Sequence, residues 1–219
     1  LRVNLIRIES DKLKVSEIKN KLKNISGILI PGGFGKRGTE GKIAAINYAR
    51  RYKIPFLGIC FGMQMAIIEF ARNKLNIKKA TSSEFDISGI PIVGLISEWT
   101  KDGKLIKGTD KNLGGTMRLG GQECLVKKSS MSHKLYKKLT ITERHRHRYE
   151  VNPKFKEELI TGGMDIVGTS LDGNLAEIVE IRKHPWFFGC QFHPEFTSNP
   201  RDGHPIFNDF IAKAIKIKI

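Results

Sequence analysis

The sequence predicts an α/β fold with a mostly parallel central sheet flanked by helices and extended by antiparallel β additions. Three observations predict it. Two short apolar runs, GILIP (27–31) and IPFLGIC (54–60), stop at glycines, as buried parallel strands do where a loop follows. Each is followed by apolar residues at helical spacing, over Gly41–Tyr52 and Met63–Arg72. From Ile92 onward, short runs broken by Gly, Asp and Lys replace that alternation and predict antiparallel or irregular strands.

Taken in order, Leu1–Ile8 alternates weakly and is expected as a strand. Asp11–Asn24 puts Leu13, Ile18 and Leu22 on one side and lysines on the other, which predicts a helix or helical turn. GILIP suits a strand buried on both faces. The helix over Gly41–Tyr52 rests on Ile43, Ala44, Ile46, Asn47 and Ala49, and that over Met63–Arg72 on Ala66, Ile67, Phe70 and Ala71. The later strands are expected in PIVGLISEW, KLIKG and MRLGGQECLV. Gly189–Phe192 is a last short apolar strand, and Ile206–Ile215 a closing amphipathic helix. No repeat, low-complexity tract or long linker divides the chain, so 1–219 is expected to be one domain.

Composition bounds the function classes. With 219 residues, 40% hydrophobic and 27% charged, the chain is long enough for one well-buried core. No apolar run approaches the roughly 18 residues of a membrane helix, and LRVNLIRIESDKLKV has no secretory pattern. Cys60, Cys124 and Cys190 are too far apart for a disulfide framework or a CxxC metal site, so a reduced, cytoplasmic setting without bound metal is expected. The net charge of +16 raises nucleic-acid binding. Its lysines are spread in pairs such as Lys78-Lys79 and Lys127-Lys128 rather than in one block, so a solvated basic surface is favoured, with neither nucleic acid nor membrane as partner. That surface should still attract anionic ligands such as nucleotides.

Four stretches could carry chemistry. In GICFG (58–62), Gly58 and Gly62 permit a sharp strand-to-helix turn that presents Cys60, as in a nucleophile turn. A helix start there favours a thiolate, and Phe61 would offer its backbone N–H to an oxyanion. A small buried cysteine in a glycine turn reads the same letters equally well. Gly32-Gly33 after the first strand allows backbone N–H groups to approach a ligand, or makes a plain tight turn; PGGFGKRG does not match a P-loop. In QFHPE (191–195), Pro194 keeps His193 extended, so that His193 and Glu195 project together as a base and its orienter. A surface Pro turn is the plainer reading. RHRHRY (144–149) could be a nucleic-acid strand, a metal-binding H-x-H pair, or a strand reading alternate faces. With Glu143 and Glu150 beside it, an internal ion-pairing or ligand-carboxylate strand is favoured.

Together the strings PGGFGKRGTEGK, GICFGMQ, SSEF, GGTMRLG, ERHRHRYEVN and CQFHPEFTSNPRDGHP resemble the class I glutamine amidotransferases, and among them the glutaminase domains of CTP synthases. They run in that family's order from Gly32 to Pro205. The resemblance implies a flavodoxin-like fold and hydrolysis of L-glutamine to glutamate and ammonia through a thioester. It assigns Cys60 as nucleophile, His193 as base and acid, and Glu195 as its orienter. It assigns the N–H groups of Gly33 and Phe61 to an oxyanion hole. Gln64, Glu84, Arg148 and Tyr149 match positions around the substrate's ends, and Arg37, Gly38 and Glu40 a lid linked to GTP activation. No cofactor is implied in this domain. The full-length family enzyme is homo-oligomeric, uses ATP and Mg, takes GTP as activator, and aminates UTP to CTP in an N-terminal amidoligase domain expected to be absent from this sequence. The resemblance also implies that the chain starts one strand and one helix inside the family domain, and that Phe61 stands where the family usually has Leu. The alternatives are a non-catalytic assembly or nucleotide-sensing domain of this fold, or the glutaminase of another amidotransferase, such as that of GMP synthesis.

Overall fold

The computed structural model describes residues 2–95, 98–101, 104–107 and 117–216. After single 3-10 turns at Ser10–Lys12 and Val15–Glu17 come α1 (Ile18–Leu22), β1 (Ile28–Ile30), α2 (Thr39–Tyr52), β2 (Phe56–Ile59) and α3 (Phe61–Asn73). The middle of the chain holds β3 (Ala80–Ser82), β4 (Ile90–Leu95), β5 (Glu98–Lys101), β6 (Lys104–Lys107), β7 (Arg118–Val126), α4 (Met131–Tyr136), β8 (Thr140–His147) and β9 (Tyr149–Val151). It closes with α5 (Lys156–Gly162), β10 (Met164–Ser170), β11 (Ala176–Ile181), β12 (Phe187–Cys190) and α6 (Pro205–Ile215).

The central sheet runs β1-β2-β12-β11-β10-β7-β8, beside a small β3-β4-β9 sheet and a β5-β6 hairpin. The α/β class holds, but the parallel part is narrower than expected. Within the central sheet only β1–β2 and β2–β12 pair in parallel, while β12 to β8 run antiparallel. In the parallel part α2 makes the crossover from β1 to β2, as a parallel connection requires, and α3 follows β2 toward the small sheet. It places the ends of β2 and β12 side by side, with Ile59 opposite Cys190.

β2 is buried along its whole length because both faces are covered. Phe56 faces a core formed with α2 and α3, and Leu57 and Ile59 face a second core with Trp186, Phe188, Phe192 and Ile206. Helix α3 is buried from Phe61 to Ala71. Its one buried carboxylate, Glu69, is held by both guanidinium arms of Arg50 and by Asn47 at 2.7–2.8 Å. Such a group is tolerated in a core only when it is paired this fully. On the other face, Pro205 opens α6 without losing a needed donor, the His204 ring caps Ile206 N–H, and Trp186 Nε1 donates to Asp209 at 2.7 Å.

Several expectations change. Residues 2–8 form no strand and are exposed, because a weakly alternating segment gains nothing without a sheet edge to pair with. Asp11–Asn24 breaks into the two 3-10 turns and α1, yet Leu13, Ile18 and Leu22 do point inward. β1 is an edge strand rather than a doubly buried one, and Leu29 is 41% exposed. Helix α2 starts two residues early, at Thr39, after Gly38 takes φ +70°. The last strand lies at Phe187–Cys190, which leaves Gln191 and Phe192 just beyond its end. Residues 114–116 of GGTMRLG and 96–97 of PIVGLISEW lie outside the described residues. Among the described residues no helix is long and apolar enough to cross a membrane.

Candidate active site

Cys60 links β2 directly to α3 with φ +51° and ψ −103°, a left-handed conformation rare for a residue with a Cβ. Holding it there costs of the order of 1–3 kcal/mol, which packing must offset. The flanking glycines serve close approach. A Cβ on Gly58 would lie 2.7 Å from the Gly62 carbonyl carbon, and one on Gly62 would run into the Ile30 carbonyl oxygen. The Cys60 N–H donates to the Cys190 carbonyl at 2.7 Å, which fastens the turn to the end of β12.

Three residues past β12, His193 donates its backbone N–H to Arg144 O at 2.8 Å. Its Nδ1 lies 2.6 Å from Glu195 Oε1, and its ring stacks on Phe196 at 4.9 Å. His193 and Glu195 do meet, but through a 3-10 turn at Pro194–Phe196 rather than along an extended strand. The other ring nitrogen, Nε2, is buried without a hydrogen-bond partner. Burial pushes the Glu195 carboxyl up, but the His193 hydrogen bond and charge outweigh it and hold the carboxyl below its ordinary value. Gly32 lies against the imidazole, and Gly33 against the Phe61 ring, so the glycine pair runs between base and nucleophile turn.

The expectation that a helix start makes Cys60 a thiolate is not met at rest. Burial pushes its pKa up to about 12. The Phe61 N–H pulls it down, but Glu150, Glu195 and Glu84 push it further up. The Phe61 ring is buried edge-on to Phe85 at 6.5 Å and beneath Lys42 at 5.7 Å, so its bulk fills the core under the glycine loop.

The Gln64 carboxamide is committed internally, with Nε2 donating to Tyr149 O at 2.9 Å and to Gln191 Oε1 at 3.2 Å. Half-buried Glu84 accepts from Gly35 N at 2.6 Å, and burial raises its pKa. Arg148 is partly buried, with one terminal guanidinium nitrogen that is shielded and lacks a partner. Gln191, to which sequence reading gave no role, donates Nε2–H to Cys60 Sγ at 3.5 Å.

The model of the class-I glutamine amidotransferase family matches residues 1–213. The chain belongs to that family. The CTP synthase of Pelagibacter ubique (strain HTCC1062) is 66% identical over 214 residues, which is 98% of this chain and 40% of that protein. The CTP synthase of Zymomonas mobilis subsp. mobilis (strain ATCC 31821 / ZM4 / CP4) is 51% identical over 219 residues, 99% of this chain and 40% of that protein. The chain thus spans about 40% of the length of the curated relatives it matches. The glutaminase domain of Trypanosoma brucei CTPS, solved with bound acivicin, has a TM-score of 0.88 at 34% identity, covering 100% of this chain and 83% of that one. The amidotransferase chain is therefore matched to the CTP synthase glutaminase domain in both sequence and fold.

In this amidotransferase RHRHRY lies mostly on β8, an edge strand of the central sheet that shows alternate faces. Glu143, His145 and His147 on β8 point inward, while Thr142, Arg144 and Arg146 point out. The imidazoles meet at 2.8 Å, His145 Nδ1 to His147 Nε2. Beneath them Arg118 pairs with both Glu150 and Glu177. Burial lowers the affinity of both histidines for a proton, that of His147 to about 3, so the ring pair is neutral. Burial likewise pushes the Glu150 and Glu177 carboxyls up, against the pull of Arg118 between them. Glu143 gathers Tyr136 OH at 2.7 Å, Thr197 Oγ1 at 2.8 Å and His204 Nε2 at 2.8 Å, which braces the turn after Glu195. Sequence reading anticipated internal ion pairing for β8 but missed Arg118 and Glu177.

The expected lid residues lie apart from Cys60. Arg37 pairs with Asp11 at 2.7 Å and Glu40 with Arg72 at 2.9 Å. Gly38 and Glu40, with Asp11, Arg72 and Phe85, border a cavity of about 320 Å³ that neither Cys60 nor His193 lines.

Proposed function

We propose that this chain hydrolyses L-glutamine as the glutaminase part of a CTP synthase. One observation carries the reading: Cys60 and the His193–Glu195 pair emerge from the ends of the adjacent parallel strands β2 and β12, with the buried, unpartnered His193 Nε2 free to take a proton.

Cys60 gives its proton to His193 Nε2 and attacks the side-chain amide carbon of glutamine. The N–H groups of Phe61 and Gly33 receive the oxyanion, each contributing about 10² to 10³ in rate. His193 returns the proton to the leaving nitrogen, and ammonia departs from the thioester. Water, deprotonated by His193, then attacks; glutamate leaves and Cys60 regains its proton. Glu195 fixes the tautomer that keeps Nε2 free. Glu84 takes the substrate ammonium and Arg148, with its unpaired donor, the carboxylate, an arrangement that suits a zwitterion. Gln64 and Tyr149 wall this pocket. The ammonia serves amination of UTP to CTP by the amidoligase part of a complete synthase, and Arg37, Gly38 and Glu40 form the lid through which GTP acts.

Intact-mass analysis after incubation with acivicin or a diazo-ketone glutamine analogue tests the reading. One adduct on the native protein and none on Cys60→Ala is expected, with glutamate released from glutamine by the native protein alone. Equal labelling of both proteins would overturn the nucleophile assignment. Absence of labelling in folded native protein would support a non-catalytic assembly or sensing domain.

A further inference from the structure

We propose that Gln191 is a further catalytic residue, whose carboxamide N–H holds the Cys60 sulfur and stabilises the thiolate as it forms. The inference rests on the glutamine-hydrolysing reading above.

The orientation of the Gln191 amide follows from its neighbours. Tyr149 O is a main-chain carbonyl and can only accept, so the group that Gln64 turns toward it at 2.9 Å must be its NH2. That same nitrogen is 3.2 Å from Gln191, so its second proton meets Gln191 Oε1. Gln191 is left with its own Nε2 facing Cys60 Sγ at 3.5 Å. A flipped Gln191 would oppose two donors at one end and aim an oxygen at the sulfur at the other. The chain Tyr149 O, Gln64, Gln191, Cys60 is therefore directional, and it ends in a donor on the nucleophile.

The rest of the environment makes such a donor necessary. Gln191 is fully buried, and its backbone N–H donates to Glu177 O at 2.9 Å, so the side chain cannot swing away. Glu150 from β9, Glu195 from the turn after β12 and Glu84 from the loop after β3 act on Cys60 through space, and all three oppose a thiolate. The Phe61 N–H also acts on the sulfur, but in the proposed reaction it is engaged by the oxyanion. Gln191 can stay with the sulfur throughout, including when the thioester breaks and sulfur leaves as an anion.

The test is the rate of Cys60 alkylation by iodoacetamide between pH 7 and 9, followed by peptide mass, in native protein and in Gln191→Met. Methionine has nearly the same length and no N–H. A donor lost slows alkylation roughly tenfold at each pH and lowers kcat more than KM. A side chain that only packs gives the opposite sign, because a loosened turn admits reagent faster. Alkylation unchanged or faster in folded Gln191→Met overturns the proposal. The native fold carries a second readout that needs no change at Gln191. In Cys60→Ala, one of the two Gln191 carboxamide protons should lose at least tenfold protection from hydrogen exchange by NMR, and protection equal to native in both overturns the proposal. The glutamine reading fails separately: native protein whose Cys60 alkylates with this dependence on Gln191 but which releases no glutamate refutes glutaminase activity and leaves the donor intact.

Discussion

Gly32 and Gly33 are adjacent, chemically identical, and should respond in opposite ways to the same substitution. A Cβ on Gly32 would lie 2.7 Å from Cε1 of His193, whereas one on Gly33 would meet the Phe61 ring at 3.7 Å, an ordinary contact. Neither glycine has a positive φ, so the difference is steric rather than torsional. Restoring normal contact at Gly32 needs a displacement of roughly 0.7 Å, which packed interiors resist. The imidazole cannot retreat freely: Glu195 holds Nδ1 at 2.6 Å, Phe196 stacks on the ring at 4.9 Å, and the backbone N–H is fixed to Arg144 O at 2.8 Å. If the loop moves instead, the candidate oxyanion donor Gly33 moves with it. Either way a reacting group is misplaced by most of an ångström, which costs about 10² in rate. Gly32→Ala should therefore lose about a hundredfold in kcat with KM little changed, in a coupled assay of glutamate release. Gly33→Ala should stay within a fewfold of native. Native-like kcat in Gly32→Ala, or an equal loss in both variants, would refute the geometry assigned to His193.

Other consequences follow from the same contacts. Glu195→Gln keeps the shape but loses the charge beside His193 Nδ1, so kcat should fall by about 10² to 10⁴, and a variant within tenfold of native would remove Glu195 from the triad. Glu69→Ala leaves Arg50 without its buried partner and should destabilise the fold by about 3–5 kcal/mol in urea, with glutaminase activity per folded molecule unchanged. His184 accepts from Trp186 N through Nδ1 and faces Ala49 O through Nε2, and burial lowers its pKa to about 4. A lowered folded-state value means that its stabilisation is complete above the unfolded pKa of about 6.5 and is lost as pH falls from there toward 4. The urea midpoint should drop across that window by up to about 3 kcal/mol of stability, and His184→Gln should flatten the drop. A variant with the native acid slope would place the titration elsewhere.

The nucleophile turn was legible because its signals are local. Gly58, Cys60, Gly62 and the change from a continuous apolar run to helical spacing all lie within a dozen residues, and His193 and Glu195 are two apart. What escaped notice was assembled over distance. Arg118, Glu150 and Glu177 come from β7, β9 and β11, and no spacing rule joins them. Gln191 stood inside a quoted motif without a role, because its partners Gln64 and Cys60 lie on the far side of the β2–β12 pairing. Residues 2–8 and β1 went wrong for a related reason: an alternating or apolar run states what could be buried, and only a neighbouring strand decides what is. Phe61 likewise found its place only through distant partners, since Phe85 and Lys42 lie around its ring.

The electrostatics of the site oppose those of the molecule. A net charge of +16 suggests a positive field everywhere, yet the charges that act on Cys60 include the carboxylates Glu150, Glu195 and Glu84, all of which push its pKa up. Distance and dielectric decide between them. Surface lysines beyond about 10 Å are screened by salt and water, while partly buried carboxylates near the thiol act through a medium of lower dielectric. The local acids therefore prevail, and burial adds to them, which keeps the resting thiol protonated near neutral pH. A cysteine held this way is protected from adventitious oxidation and alkylation, since the thiolate is the reactive form. The same arrangement is one a zwitterionic substrate can reverse. On the proposed assignment, an ammonium set against Glu84 would cancel one of the three repulsions, and proton transfer to His193 would place a cation beside Glu195. On that assignment, substrate binding and the first proton transfer would offset two of the three charges that quiet the free site, and Glu150 would remain.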